Sequence, residues 1–276
     1  MPSRHARIKT GPAEPYLCLW RQRSLITQMI KREVVGRYRG SFFGLLWSFF
    51  NPVLMLSVYT FVFSIVFKAR WGQGSDNKFE FALLLFTGLI VFNLVSECLS
   101  RAPRLILENI NYVKKVIFPL EILTWVILGS ALFHAMISLL VLLGFLFLFS
   151  PSIPWTTLFL PLVLLPLIPM VVGLSWLLAS IGVFFRDLGQ IIGMVLTVLM
   201  FMSPIFYPAS ALPEAVRGYL FLNPLTFIIE QLRDVLIWGV FPDWQGLAIY
   251  SATAFTFSWA GFTWFQKTRK GFADVL

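Results

Sequence analysis

Few residues of this chain have the types and spacing that chemistry requires, because only 13% of its 276 residues are charged. His134 lies inside a long apolar run, where an ionisable group is a candidate for function. A neutral imidazole that bonds to a backbone carbonyl of a neighbouring helix is the competing interpretation, and we favour it. The sequence has no P-loop, zinc-protease or serine-hydrolase motif, and Cys18 and Cys98 lack metal-ligand spacing. No catalytic residue and no metal ligand is therefore predicted.

Two groups of acidic residues lie at the borders of apolar runs, each with arginines nearby. They are Glu97, Glu108 and Glu121 near Arg101 and Arg104, and Glu214, Glu230 and Asp234 near Arg217 and Arg233. Because each group has basic partners within a few positions, we expect ion pairs or anchoring at a membrane surface. An acid–base pair for catalysis is the weaker interpretation.

The composition predicts a membrane protein with several spans. Apolar residues make up 58% of the chain, and 17% of it is aromatic. Soluble domains are closer to about half apolar and a quarter charged. Such a chain is typical of polytopic membrane proteins, in which aromatic residues form interfacial belts or line a passage. The net charge of +9 is explained by membrane topology, so no nucleic-acid partner is expected.

Six apolar runs predict an all-α fold with six transmembrane helices. These lie at about 42–67, 79–99, 120–149, 156–185, 188–202 and 247–266. The fifth is short for a hydrocarbon core of about 30 Å. The predicted domains are a cytoplasmic basic lead-in (1–23), an amphipathic interface helix (24–40), a transmembrane domain (41–266) with a cytoplasmic coupling segment (100–119) and an outer region (203–245), and a cytoplasmic tail (267–276).

The interface helix is predicted from spacing. Ile26, Ile30, Val34 and Tyr38 recur every four residues, and basic residues flank that stripe. Such a helix suits the headgroup plane of a bilayer, although packing on a soluble partner is the alternative.

Positive charge orients the spans. Most of the 22 Lys and Arg residues fall in segments that share one side of the predicted topology. The exceptions are Lys68, Arg70, Lys78, Arg217 and Arg233. Because basic residues concentrate in cytoplasmic loops, both termini are predicted to be cytoplasmic.

Repeated helix breaks interrupt the outer region. Ser203-Pro204 ends the fifth span, and Asn223-Pro224 separates two candidate half-helices at 209–221 and 225–238. Broken backbone at membrane depth is tolerated where it is buried in protein or lines a water-filled cavity. The pattern favours two short re-entrant helices, and helices lying flat on the outer surface are the alternative.

Four stretches together resemble the type 2 ATP-binding-cassette export permeases, most closely those that export O-antigen, capsule or teichoic acid. They are residues 31–67, NYVKKVIFPLE at 111–121, FFRDLGQII at 184–192, and residues 203–234. The resemblance covers nearly the whole chain. It implies a homodimer with two separate ATP-binding-cassette subunits, which carry ATP and Mg, in a bacterial inner membrane. The implied cargo is a polyprenyl-diphosphate-linked glycan.

The resemblance also implies roles for particular residues. The first and fifth spans line a channel, with Trp47, Tyr59, Phe206 and Tyr207 as candidates to face sugar rings. Candidates for the lipid diphosphate are Arg37 and Arg39. Candidates for coupling to the ATPase are Asn111, Lys114, Lys115, Arg186 and Asp187.

Three other functions remain open from the sequence. One is an export permease of the same type for a drug or another lipid. The others are a secondary carrier and a membrane transferase acting on lipid-linked sugars. A carrier is disfavoured because His134 is isolated and no internal repeat is evident.

Overall fold

The computed structural model of the protein describes residues 10–67, 71, 79–114, 118–149, 153–220 and 222–276. The protein is all-helical, as predicted. The α-helices are α1 (Glu14–Arg21), α2 (Arg23–Arg37), α3 (Trp47–Tyr59), α4 (Glu80–Arg101), α5 (Leu105–Glu108), α6 (Ile110–Lys114), α7 (Ile122–Phe149), α8 (Leu160–Leu164), α9 (Leu167–Phe184), α10 (Leu188–Met202), α11 (Glu214–Leu220), α12 (Pro224–Arg233), α13 (Trp244–Thr268) and α14 (Phe272–Val275). Short 3-10 or π segments extend several of them, including Gly44–Leu46 and Thr60–Val66 around α3, and Asp234–Trp238 after α12.

Four helical segments of the described chain have the length and apolar composition to cross a membrane. They are Gly44–Val66, Glu80–Arg104, Ile122–Leu148 and Trp155–Phe184. Each of them lies where the apolar pattern predicts a span, so the first four predicted spans are supported.

The last two predicted spans differ from these four. Helix α10 has the predicted bounds, but its 15 residues extend only about 22 Å at a rise of ~1.5 Å per residue. Helix α13 has 25 residues, which is long enough, but its Ser, Thr, Tyr and Trp side chains make it less apolar. That these two helices also cross the membrane stays a prediction.

Helix α4 is the centre of the bundle. Between Phe81 and Val95 every residue is buried except Asn93. Helices α3, α7, α9, α10 and α12 pack around it. Because α4 is apolar on nearly all sides, burial against several neighbours is the arrangement that its sequence favours.

Helices α9 and α13 approach closely because glycines lie where they cross. A Cβ on Gly173 would lie 2.7 Å from the carbonyl oxygen of Phe257, and one on Gly261 would collide with the backbone of Gly173. Small residues let helix backbones come together in membrane proteins. A hydroxyl–hydroxyl hydrogen bond of 2.6 Å between Ser180 and Thr268 adds to this interface.

Helix α1 lies within the predicted lead-in, where no helix was predicted. Pro15 occupies its first turn, where a missing N–H is tolerated. Tyr16 packs edge-on against Trp125 of α7 and Phe255 of α13, with ring centroids 6.2 and 5.4 Å apart. These aromatic contacts fasten α1 to the bundle.

Helix α2 occupies the range of the predicted interface helix, and its apolar stripe faces the bundle. Ile26, Met29 and Val34 are buried. Ile30 contacts Gly129 of α7 so closely that a Cβ on this glycine would collide with its side chain. The stripe therefore packs along α7, and a location of α2 in the headgroup plane stays a prediction.

Helices α3 and α10 are largely uncovered. In an 18-residue window of Gly44–Val66, 11% of the residues are buried, against 83% in Glu80–Arg104. Leu196 is the buried residue of α10, whereas Met194 is 70% exposed. Exposed apolar helices of this size are expected to meet lipid or another protein.

The two helix breaks of the outer region bond to each other. The Asn223 amide nitrogen donates to the Ser203 hydroxyl at 2.8 Å, and its carbonyl oxygen accepts from Leu225 N at the start of α12. The predicted half-helices correspond to α11 and to α12 with its π extension. Whether they re-enter the membrane or lie flat stays a prediction.

Candidate functional site

An inner polar cluster, Arg37, Tyr38, Glu97 and His134, joins the end of α2 to α4 and α7. The Arg37 guanidinium forms an ion pair with Glu97, and its Nη1 lies 3.1 Å from His134 Nδ1. The Tyr38 hydroxyl lies 3.1 Å from His134 Nε2. The side chains of His134 and Glu97 are 17% and 19% exposed, so water screens the charges of this cluster only weakly.

The charges around Glu97 balance. Arg101 lies 3.7 Å from Glu97 and 2.6 Å from Glu33, so two arginines face two glutamates. The predicted pairing of Glu97 with Arg101 is confirmed. The second arginine at Glu97 is Arg37 of α2, which comes from a distant part of the sequence, and not Arg104.

His134 is held by side chains, so the favoured interpretation of a bond to a backbone carbonyl is wrong. Its Nδ1 lies 3.1 Å from Arg37 Nη1 and 3.3 Å from Glu97 Oε2, and its Nε2 lies 3.1 Å from the Tyr38 hydroxyl. The ring therefore links the end of α2 to Glu97 of α4.

An inner cavity of about 200 Å³ opens beside this cluster. Its polar lining includes Ser48, Asn51, Asn93 and Ser138, together with the charged pair of the cluster. An apolar groove of about 380 Å³ adjoins it, since Ser48 lines both. Polar and apolar spaces therefore meet at the beginning of the first span.

The predicted coupling segment forms α5 and α6. Asn111 and Lys114 are exposed on α6, whereas Lys115 lies outside the described residues. Tyr112 stacks on Phe118, with ring centroids 4.3 Å apart and an angle of 12° between the rings. This stack joins α6 to the residues that precede α7.

Arg269, which directly follows α13, fastens that segment to the end of this helix. Its Nη1 lies 2.7 Å from the Glu121 carboxylate, and its Nη2 donates to the Phe118 carbonyl at 2.7 Å. Charge-assisted bonds of this kind are about twice as strong as neutral ones. From the other side, Arg32 of α2 donates to the Tyr112 hydroxyl at 3.3 Å. Glu121, which was predicted to anchor at the membrane surface or to pair with Arg101 or Arg104, pairs with Arg269.

The turn at residues 186–187, which joins α9 to α10, lies beside the coupling segment. Its Arg and Asp side chains are exposed. A Cβ on Gly182 would collide with the carbonyl of Pro103, and one on Gly189 would lie 3.5 Å from Arg104 Nε. The structure thus brings the two predicted ATPase contacts to the same end of the bundle.

The four predicted channel-lining aromatic residues occupy two places. Trp47 and Tyr59 are the first and last residues of α3, about 18 Å apart at a rise of ~1.5 Å per residue. Phe206 stacks on Phe201 with ring centroids 5.8 Å apart, and the Tyr207 hydroxyl donates to the Phe201 carbonyl at 2.8 Å. A channel role for these residues stays a prediction.

A buried arginine ties the outer region to α4. Arg233 is 3% exposed. It donates to the Leu84 carbonyl from Nε and Nη2, at 3.1 and 3.0 Å, and to the Ile205 carbonyl at 3.3 Å. Its guanidinium carbon lies 4.4 Å from the ring centroid of Trp71, a distance typical of a cation–π contact.

The expected ion pair of Arg233 is wrong: no carboxylate of the described residues lies within ion-pair distance of it. Burial lowers the pKa of the Arg233 guanidinium to about 9, so it still carries its charge at neutral pH. Sequence spacing suggested acidic partners, but the helix geometry points the guanidinium at carbonyl groups.

The sequence profile of the ABC-2 type transporters matches residues 24–237. This chain belongs to the ABC-2 type transporter family. The match runs from α2 to the π extension of α12, and it includes the inner polar cluster, the coupling segment and Arg233. The family predicted from the four sequence stretches is therefore confirmed.

Proteins of three bacteria resemble this ABC-2 chain over most of their length. The O-antigen export system permease protein RfbA of Myxococcus xanthus is 29% identical over 260 residues, which cover 94% of this chain and 97% of the relative. The protein of the same name from Klebsiella pneumoniae is 25% identical over 254 residues, covering 91% and 95%. The polysialic acid transport protein KpsM of Escherichia coli is 24% identical over 241 residues, covering 85% and 89%. The predicted assignment as a transport subunit, and not an enzyme, is confirmed.

Proposed function

We propose that this chain is the channel-forming permease subunit of an ATP-driven exporter that moves a lipid-linked polysaccharide across a bacterial inner membrane. Relatives that align with nearly the whole chain are named for O-antigen export and polysialic acid transport. Those names favour a polysaccharide over a drug or another lipid as cargo. A polyprenyl diphosphate is the lipid carrier in this proposal.

The observation that carries the proposal is the pair of uncovered apolar helices, α3 and α10, in an ABC-2 chain. Two copies that meet along these helices would bury them and enclose a path between them. The aromatic side chains of Trp47, Tyr59, Phe206 and Tyr207 would then lie on or near that path. Sugar rings present C–H faces that pack on aromatic rings, which suits a passage for a glycan.

A separate ATP-binding-cassette subunit supplies energy in this proposal, with ATP and Mg bound to it. Two such subunits would dock on the two copies, at the end of the bundle where the coupling segment meets the α9–α10 turn. The exposed Asn111 and Lys114 of α6 support docking there. ATP-driven closure of the partners would push the coupling segment, and Arg269 would carry that displacement to α13.

In this proposal Arg39 is a better candidate than Arg37 for binding the lipid diphosphate. Arg39 is exposed and makes no ion pair with any described residue. Arg37 is already paired with Glu97, so binding a phosphate there would compete with an existing partner. Arginine matches phosphate oxygens with two parallel N–H donors.

The membrane topology in this proposal has six spans, with α10 and α13 as the last two, and both termini in the cytoplasm. The distribution of Lys and Arg supports this orientation. The region 203–245 closes the outer end as a re-entrant element, supported by the bond between its two helix breaks.

Transport into sealed inverted vesicles tests the proposal. Vesicles with this chain and its ATPase partner should accumulate lipid-linked glycan when ATP is supplied, and vesicles without the partner should not. Equal accumulation with and without the partner would show a self-sufficient carrier. ATP-driven uptake of drugs but no glycan would assign a different cargo.

A further inference from the structure

Asn93 is out of place in helix α4 unless something bonds to it. It is the exposed residue in the buried stretch from Phe81 to Val95, and it opens onto the inner cavity. An amide in an apolar span is costly when it has no partner, and such residues mark functional sites. Its side chain makes no hydrogen bond with any described residue, and the same holds for Asn51 on the facing wall of the cavity.

The cavity offers both donors and acceptors. Each of the two amides provides two N–H donors and one carbonyl acceptor. Ser138 adds a hydroxyl. Pro52 has no N–H, so the Ser48 carbonyl one turn earlier lacks the donor that a regular helix would provide. Groups that donate and accept at once, such as the hydroxyls of a sugar, match this lining.

Charge argues that the occupant is neutral. The two ionised groups on the wall, Arg37 and Glu97, neutralise each other. A phosphate placed here would meet the Glu97 carboxylate and would have to displace it from Arg37. A neutral ring with hydroxyl groups meets no such opposition. At about 200 Å³ the cavity has room for several waters or one small ring in their place.

We infer that the inner cavity is a subsite for one uncharged sugar ring of the exported glycan, bound by the amides of Asn51 and Asn93. This inference rests on the proposed function, and it assigns the cavity to the glycan and not to the diphosphate. The subsite lies where the end of α2 meets the first part of α3, so a ring held there stands at the cytoplasmic beginning of the path. Asn93 and Asn51 are then specificity-determining residues for the carbohydrate.

Asn93→Leu tests this assignment through its melting temperature, because a binding role and a structural role of Asn93 predict opposite changes. Leucine suits an apolar helix, so the apparent melting temperature of the variant should equal or exceed that of the native chain. A clear fall would show that Asn93 has a structural partner, and the inference would be overturned. Asn51→Ala removes the second amide independently. Gln245→Ala, an exposed amide at the start of α13 outside the cavity, is the matched control.

Binding is measured on the complex with its ATPase partner in nanodiscs, by saturation-transfer NMR. The probes are methyl glycosides of neutral hexoses, with inorganic pyrophosphate as competitor. Native protein and Gln245→Ala should transfer magnetisation to the sugar ring protons. Because a hydrogen bond contributes ~1 kcal/mol, Asn93→Leu and Asn51→Ala should weaken sugar binding about fivefold or more. No transfer with native protein, undiminished transfer with both variants, or displacement of the sugar by pyrophosphate would each refute the subsite.

Measuring glycan export distinguishes a failure of this inference from a failure of the proposed function on which it rests. If native complex exports glycan and Asn93→Leu exports it at the native rate, the subsite is wrong and the proposed function stands. If native complex shows no ATP-driven glycan export, the proposed function is wrong. If the subsite is right, Asn93→Leu should slow export relative to both the native complex and the Gln245→Ala control.

Discussion

Two arginines that join separate helices, Arg37 and Arg233, are stabilised in different ways. Arg37 faces a carboxylate and a histidine, so its charge is neutralised by an opposite charge. Arg233 faces backbone carbonyls and the ring of Trp71, which offer partial charges only. The second arrangement depends on the planar fork of the guanidinium, because several N–H groups are used in different directions.

We predict that Arg233→Lys destabilises the protein more than Arg233→Met. Lysine keeps the buried charge but is a point charge that cannot serve both carbonyls and the ring, which should cost about 2 kcal/mol. Methionine removes the charge together with its desolvation penalty, so its cost should be smaller. Thermal unfolding of both variants in nanodiscs measures the order, and equal melting temperatures would show that the fork geometry is unimportant.

Changing Arg37 and Arg39 to Gln, one at a time, should affect stability and ATP hydrolysis differently. Arg37→Gln leaves Glu97 without its closest partner, so the melting temperature should fall. Arg39→Gln breaks no ion pair of the described residues, so stability should stay within about 0.5 kcal/mol of native. If Arg39 binds the diphosphate, its variant should instead lose the stimulation of ATP hydrolysis by lipid-linked glycan. An unchanged stimulation in Arg39→Gln would contradict that role.

Among the helices, the contact between α9 and α13 depends on the absence of side chains. Gly173 and Gly261 bring two backbones together, and no flexible side chain there can move aside. The contact matters for function because α13 carries Arg269 to the coupling segment, while α9 leads into the adjacent turn at residues 186–187. A rigid α9–α13 pair would transmit a displacement from either contact.

Gly261→Ala should therefore destabilise the protein by about 2 kcal/mol, because a methyl group would collide with the backbone of Gly173. Gly144→Ala on α7 is the matched control, since no atom lies within 4 Å of its added Cβ. The control should be neutral or stabilising by up to about 1 kcal/mol, because alanine favours helix. Chemical unfolding of both variants gives the comparison, and similar losses in the two would refute close packing as the cause.

For the whole molecule, α3 and α10 are the apolar surfaces on which the proposed second copy would pack. Helix α4 is enclosed, whereas α3 and α10 remain open along the same chain. In a two-fold dimer the same patch of each copy meets its equivalent, so residues on α10 would come close to their counterparts.

Cysteine cross-linking tests this arrangement. Met194→Cys on α10 should give a covalent dimer in membranes treated with a short bifunctional thiol reagent. Phe257→Cys on α13 is the control, because it is also apolar and exposed but lies on a helix packed against α9. Both are placed in a chain with Cys18 and Cys98, which are buried, changed to Ser. A dimer band with Phe257→Cys and none with Met194→Cys would move the interface to α13.

The apolar pattern was sufficient to predict most of the helices. Spans at 79–99 and 188–202, the outer half-helices and the coupling segment all have counterparts, because runs of apolar residues and prolines act locally. The pattern failed at α1, where Tyr16 gains stability from Trp125 and Phe255, which lie far away in the sequence. It also assigned Arg233 to neighbouring acids, since proximity in sequence says nothing about where a buried guanidinium points.

The sequence by itself determined the all-helical class, the family and the places where the backbone breaks. Composition, periodicity and four short stretches carry that information, since each depends on residues close together in the chain. The tertiary structure alone decided the partners of His134, Glu97 and Arg233, and the meeting of Asn51 with Asn93 around one cavity. Those contacts join helices distant in sequence, and their geometry depends on how side chains and glycines let the helices pack.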